Sequence, residues 1–165
     1  MRLLLTLSVC LLTLPLNAEN LRPHVHGVVG LDIAAENNQI LIMLKSPADS
    51  FLGFEYKAKT KKEKALVKSV RKTWKTELLN ILGIKKDSGC KVSSSDWKQE
   101  FQGDTHSEII AESIVECPKS VASKTLSISL KKKYPKIETI HLQLIGHDGK
   151  TISKKMKDDI FKINL

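Results

Sequence analysis

The chain has 165 residues, a net charge of +9 and 5% aromatic residues. This length suits one domain with a single core, and the aromatic residues are too sparse for the stacking platforms of single-strand nucleic-acid binders. The sequence contains no P-loop, dinucleotide fingerprint, serine-hydrolase elbow or H-E-x-x-H zinc-protease motif. These features exclude the common enzyme classes that such motifs mark, and we expect a protein that is not an enzyme.

Residues 1–18 have the pattern of an export signal. Arg2 precedes an apolar run from Leu3 to Leu14, Pro15 interrupts the run, and Asn17-Ala18 offers small residues for cleavage. The run is too short to span a bilayer about 30 Å thick as a helix. We therefore expect cleavage after Ala18 and a soluble mature chain, residues 19–165, that folds as one domain outside the cytoplasm.

The mature chain keeps two cysteines, because Cys10 leaves with the signal. Cys90 and Cys117 remain, and an even count in an exported chain favours a disulfide. A loop of this length would add roughly 3.5 kcal/mol of stability on chain-entropy grounds. The alternative is a pair of thiolate metal ligands, which an oxidising compartment disfavours.

The first part of the mature chain has the alternation of a β-hairpin. A strand from His24 would place one set of residues on its buried face and another on its polar face, and the turn residues 36–38 would lead into a returning strand over residues 39–46. The buried set is Val25, Val29, Leu31 and Ile33, and the polar set is His24, His26, Val28 and Asp32.

A long amphipathic helix is predicted from Lys61 to Leu82. Thr60 and Glu63 form a T-x-x-E capping box, and Gly83 is placed to end the helix in the left-handed conformation. Lysines occupy the outer face, and the apolar stripe recurs every four residues at Leu66, Val70, Trp74, Leu78 and Leu82.

The second half of the chain is mostly strand-like. Strands are predicted over residues 91–101 and 106–117, on both sides of the turn signal at residues 147–149, and near the C-terminus. Residues 125–137 are ambiguous, since their apolar spacing fits a strand and also a helix that ends before Pro135. The predicted fold class is α+β: an antiparallel β-sheet with one long amphipathic helix packed against it.

Two pairs of polar residues are candidate metal ligands. His24 and His26 would project from the same side of a strand, and His106 and Glu108 repeat that spacing on another. Imidazole nitrogens and a carboxylate suit zinc or another first-row divalent ion. The alternative is that these residues occupy a solvated strand face, and the spacing alone leaves both open. His141 and His147 fit structural positions better.

The order of these motifs resembles the ZrgA-like family of exported bacterial proteins linked to zinc uptake. The resemblance covers nearly the whole mature chain, and its most specific residues are His24-Val25-His26-Gly27, Ser46-Pro47-Ala48, Gly53-Phe54-Glu55 and the pair Cys90 and Cys117 around His106. Tyr56 stands where relatives often have histidine.

The resemblance implies a periplasmic zinc-binding protein that serves an ABC-type uptake system. By position, it implies His24, His26 and His106 as ligands, with Glu55 and Glu108 as possible partners. Because neutral imidazole is the form that binds metal, affinity should fall as pH drops through about 6.5.

A second hypothesis comes from the lysines. The chain would then be a non-metal envelope module whose Lys-rich helix face, between Lys57 and Lys75, docks on anionic lipid, polysaccharide or a transporter partner. Salt discriminates the two hypotheses, because screening weakens surface docking far more than coordination.

Overall fold

The computed structural model describes residues 25–165. The expected signal peptide and His24 lie outside this range. Within it, the chain forms no helix that combines the length and the apolar character needed to cross a membrane.

Residues 25–165 form eight strands, three α-helices and one 3-10 helix at Lys86–Ser88. The α-helices are α1 (Asp49–Leu52), α2 (Lys61–Ile81) and α3 (Leu130–Lys133). The strands are β1 (Val28–Glu36), β2 (Gln39–Pro47), β3 (Lys91–Gln102), β4 (His106–Glu116), β5 (Thr125–Ile128), β6 (Thr139–Ile145), β7 (Thr151–Met156) and β8 (Phe161–Asn164).

Six strands form one mixed sheet in the order β3-β4-β2-β1-β6-β7. The α+β class is confirmed in broad terms, but a purely antiparallel sheet was the wrong expectation, since β1 and β6 run parallel, with Val29 opposite Ile140 and Ile33 opposite Leu144. A parallel pair needs a long crossover, and here more than half of the described chain lies between its two strands. Both strands are flanked on each side, so the parallel pair lies in the interior of the sheet.

The core lies on one face of this sheet. Alternate residues on adjacent strands are almost fully buried, such as Leu31 on β1 and Leu44 on β2, as the period of two predicts. The other face is open to solvent, and Leu41 and Met43 are 40% and 42% exposed there. The sheet therefore has one dry and one wet face.

Helix α2 covers the dry face at the β3 and β4 side. The predicted capping box is present, because Thr60 Oγ1 accepts from the Glu63 amide and the Glu63 carboxylate accepts from the Thr60 amide. At the other end, the Ile84 amide donates to Leu79 and Gly83 adopts a φ of +69°, which is a Schellman ending.

Residues 125–137, whose sequence fitted both a strand and a helix, contain strand β5 followed by the single helical turn α3. β5 pairs with β8 in a separate two-stranded sheet. This sheet joins the end of α2, because the Ser127 amide donates to the Leu82 carbonyl at 2.9 Å. Cys90 precedes β3, Cys117 follows the C-terminal end of β4, and the two form a disulfide.

Candidate metal site

His26 lies in a turn and not in a strand, which corrects the expectation of a strand from His24. β1 begins only at Val28, and Val25 is 64% exposed instead of buried. Gly27 interrupts the alternation of buried and exposed residues because its φ of +74° is not that of a strand. A Cβ added at this position would lie 3.0 Å from Glu138 Cγ. Because His26 is not part of β1, the strand argument for a His24–His26 chelate does not hold.

The loop after α1 carries Glu55 to the beginning of β4. Pro47 lies opposite Glu108 at the end of β2, and the Ala48 amide donates to the Ser107 carbonyl at 2.9 Å. The Ser107 hydroxyl then donates to the main-chain carbonyl of Glu55. These contacts fasten the loop beside the first residues of β4.

The Glu55 carboxylate contacts two imidazoles, one on each oxygen. His26 Nε2 lies 3.2 Å from Oε1, and His106 Nδ1 lies 2.9 Å from Oε2. His26 and His106 are 80 positions apart in the sequence. His26 precedes β1, His106 begins β4, and β2 lies between these two strands in the sheet. Glu55 therefore brings together two histidines that strand pairing alone does not.

The exposure of the three side chains defines an open site. Glu55 is only 6% exposed, whereas the side chains of His26 and His106 are 62% and 58% exposed. A buried carboxylate needs hydrogen-bonded or cationic partners to offset its desolvation, and the two imidazoles supply them. The site thus combines one buried carboxylate with two imidazoles that are exposed to solvent.

Glu108 shares the face of His106 on β4 but is buried, which disagrees with the alternative of a solvated strand face. Its Oε2 atom lies 3.1 Å from Lys45 Nζ and accepts a hydrogen bond from Gln102 Nε2 at 3.2 Å. An ammonium group therefore offsets the charge of Glu108.

The other histidines are placed as the sequence predicted. His141 lies on the wet face of the sheet opposite Gly30. His147 lies in the turn between β6 and β7. His24 remains outside the described residues.

Sequence reasoning missed the residues that hold Glu55 in place. Ser107 is fully buried between the two candidate ligands of β4, and its hydroxyl accepts a hydrogen bond from Gln99 Nε2 at 2.8 Å. The alternation of β4 places Ser107 on the buried face of the sheet. Since a buried polar side chain needs a hydrogen-bond partner, this position could have indicated a contact with another element.

The donor set fits a zinc ion. Zinc–nitrogen and zinc–oxygen bonds are about 2.0–2.2 Å long, so two ligand atoms on one tetrahedral ion lie about 3.4 Å apart. The nitrogen–oxygen distances at Glu55, each to a different carboxylate oxygen, are 3.2 Å and 2.9 Å, so both imidazoles lie near the range that shared coordination with the carboxylate requires. Among residues 25–165, no three His, Cys, Asp or Glu side chains are already arranged around one ion position.

Comparison with known proteins identifies the family of the chain. A search of curated proteins gave no match. The family model described as "ZrgA family zinc uptake protein" matches residues 23–165, which include every residue of the site and the disulfide. This chain therefore belongs to the ZrgA family of zinc uptake proteins.

Proposed function

We propose that this protein is a periplasmic zinc-binding protein that serves zinc uptake. The observation that carries the proposal is the contact of His26 and His106 with the two oxygens of one buried carboxylate, Glu55. Two imidazoles and a carboxylate are common zinc ligands. The description of the family supports zinc over other divalent ions.

In this proposal, His26, His106 and Glu55 bind the ion directly. His24 supplies the fourth ligand that zinc favours. It lies two residues before His26, which limits their separation along the chain to about 7 Å. Glu108 is not assigned as a ligand, since Lys45 already pairs with its carboxylate.

Zinc is cargo in this proposal, and the protein is not an enzyme. A zinc hydrolase needs a general base beside an open coordination position, and the proposal uses Glu55 as a ligand instead. The exposed imidazoles suit capture and release of an ion at the surface. The partner that we propose for release is an ABC-type transporter, as the resemblance implies.

Calorimetric titration with Zn²⁺ tests the site. Mature protein, residues 19–165, should bind about one ion at about pH 7.4, and binding should weaken at least tenfold at about pH 5.5 because protons compete for imidazole nitrogen. H26A and H106A should each weaken binding at least tenfold, and the double variant should abolish it.

H141A is the matched control, because it removes an exposed histidine from the wet face of the sheet. It should leave zinc affinity unchanged. Unchanged binding by the H26A/H106A double variant would show that the proposed site is wrong.

A further inference from the structure

Helix α2 carries a one-sided row of cations, which we call the basic stripe. Its members are exposed and, at about 100° per residue, fall within an arc of about 100° on the helix surface. From its first to its last member the row covers 15 residues and extends about 21 Å along the axis. The members of the basic stripe are Lys61, Lys64, Lys68, Arg71, Lys72 and Lys75.

No carboxylate in the described part of the chain forms an ion pair with the basic stripe. Within residues 25–165, the ion pairs of Lys45, Lys98, Lys131, Lys136 and Lys150 each join a carboxylate, and none involves the basic stripe.

The two acids of α2 are engaged elsewhere. Glu63 accepts hydrogen bonds from the amides of Lys59 and Thr60 and from the Tyr56 hydroxyl, and Glu77 accepts from Asn80 Nδ2 at 2.7 Å. Among residues 25–165, the exposed basic stripe therefore has no carboxylate that offsets its positive charge.

Helix stability does not explain this arrangement. Like charges three or four residues apart, such as Lys64 and Lys68, repel each other and disfavour a helix, and cations in the first turn oppose the helix dipole. Packing does not explain it either, because no side chain over residues 61–69 is fully buried, and the buried stripe begins at Val70. The first nine residues of α2 are thus mostly charged and exposed, and among them Val67 packs against the core.

The composition of the basic stripe distinguishes between possible partners. Protein interfaces are depleted in lysine and enriched in aromatic residues, whereas the basic stripe has five lysines and one arginine and is flanked by Ala65, Ser69 and Thr76. Lysine ammonium groups bind phosphate as point charges without a fixed geometry. Leu66, an exposed large apolar residue of α2, lies nearly opposite the basic stripe and is therefore not directed with it for insertion.

We propose that the basic stripe adsorbs to the phosphate groups of an anionic lipid surface, with α2 parallel to that surface. Clusters of four to eight basic residues on an amphipathic helix favour anionic membranes. Adsorption without an apolar anchor is purely electrostatic, and therefore reversible and sensitive to salt. The basic stripe contains none of the proposed metal ligands, so this proposal does not depend on the metal site.

Co-sedimentation with lipid vesicles tests the proposal. Metal-free mature protein is mixed with phosphatidylcholine vesicles that contain either no anionic lipid or about 40% phosphatidylglycerol. We expect at least tenfold stronger partition to the anionic vesicles in about 50 mM salt, and loss of that binding in about 500 mM salt.

Matched triple variants separate the basic stripe from net charge. K64Q/K68Q/K75Q should reduce partition at least tenfold, since each lysine contributes, and glutamine preserves the helix. K91Q/K119Q/K155Q removes the same charge from exposed positions elsewhere and should retain most of the binding. Circular dichroism verifies that both variants fold.

Three results would overturn the proposal. The first is no preference for anionic vesicles, and the second is equal loss in the two triple variants, which would indicate net charge alone. The third is tighter, stripe-dependent binding to duplex DNA than to the vesicles at the same salt concentration, which would assign the basic stripe to nucleic acid.

Discussion

The Ser107 hydroxyl donates a hydrogen bond to the main-chain carbonyl of Glu55 and so fixes the loop that bears the buried carboxylate. Because Ser107 belongs to β4, the loop is tied to the same strand that supplies His106. Gln99 on β3 donates to the same hydroxyl. The distance between the Glu55 carboxylate and the His106 imidazole therefore depends on Ser107. The Ser107 hydroxyl itself contacts neither the carboxylate nor the imidazole.

Substitution S107A should loosen the site without removing a ligand. Removal of a buried hydroxyl leaves the Glu55 carbonyl and the Gln99 amide without this partner, which costs about 1–3 kcal/mol of unfolding free energy. Zinc affinity should fall several-fold with unchanged stoichiometry. S153A, on the exposed side of β7, is the control, and equal affinities of the two variants would contradict this role.

Trp74 joins α2 to the sheet through a buried polar contact. Its Nε1 donates to Ser113 Oγ at 3.0 Å, and Ser113 in turn donates to Ser95 Oγ at 3.0 Å. W74F should lower the unfolding free energy by about 2–4 kcal/mol, because it removes the donor and part of a packed ring.

Urea unfolding followed by circular dichroism measures this loss. Zinc affinity of the folded variant should match the wild type, because Trp74 is not a ligand. A loss of less than about 0.5 kcal/mol would show that the contact does not stabilise the docking of α2.

The α2 cap makes stability dependent on pH. Hydrogen bonds from the Thr60 and Lys59 amides and the Tyr56 hydroxyl lower the pKa of Glu63 from 4.5 to about 2. Since folding favours the ionised form, the contribution is complete above about pH 4.5 and is lost as pH falls towards 2. The wild type should therefore melt above E63Q at pH 5, and the difference should shrink on acidification.

Melting temperatures between pH 5 and pH 2 measure this difference. E77Q is the control, because Glu77 lies towards the C-terminal end of α2 and does not cap its N-terminus. A difference between wild type and E63Q that stays constant over the range would contradict the assigned role.

The disulfide should stabilise the fold without affecting the metal site. Cys117 follows the C-terminal end of β4 and His106 begins the strand, so an 11-residue strand, roughly 35 Å long, separates them. C90A/C117A should lower the unfolding free energy by about 2–4 kcal/mol, and the folded variant should keep its zinc affinity. A large loss of affinity in the folded variant would contradict this separation.

Local patterns in the sequence predicted the elements well. The Thr60–Glu63 box and Gly83 correctly marked the ends of α2, and the alternation from Val29 to Ile33 correctly gave the buried face of β1. Strand order could not be predicted, because the parallel pairing of β1 with β6 depends on contacts between distant segments. The ambiguous residues 125–137 contain both candidate structures because a strand and a single helical turn follow each other there.

The site was predictable only in part. Alternation wrongly extended β1 to His26, since the effect of Gly27 on the backbone is not visible as a pattern of polarity. Spacing identified His26 and His106 but gave no reason to choose Glu55, which entered through the family resemblance. Its burial and its two imidazole contacts arise from a loop that tertiary hydrogen bonds position.

Diffraction at the zinc absorption edge from crystals grown with Zn²⁺ tests the central claim most directly. We expect one strong anomalous peak about 2.0–2.2 Å from His26 Nε2, His106 Nδ1 and a Glu55 carboxylate oxygen. A peak at His141 or His147 in place of this position, or crystals of zinc-treated protein with no ion near Glu55, would contradict the assignment of the site.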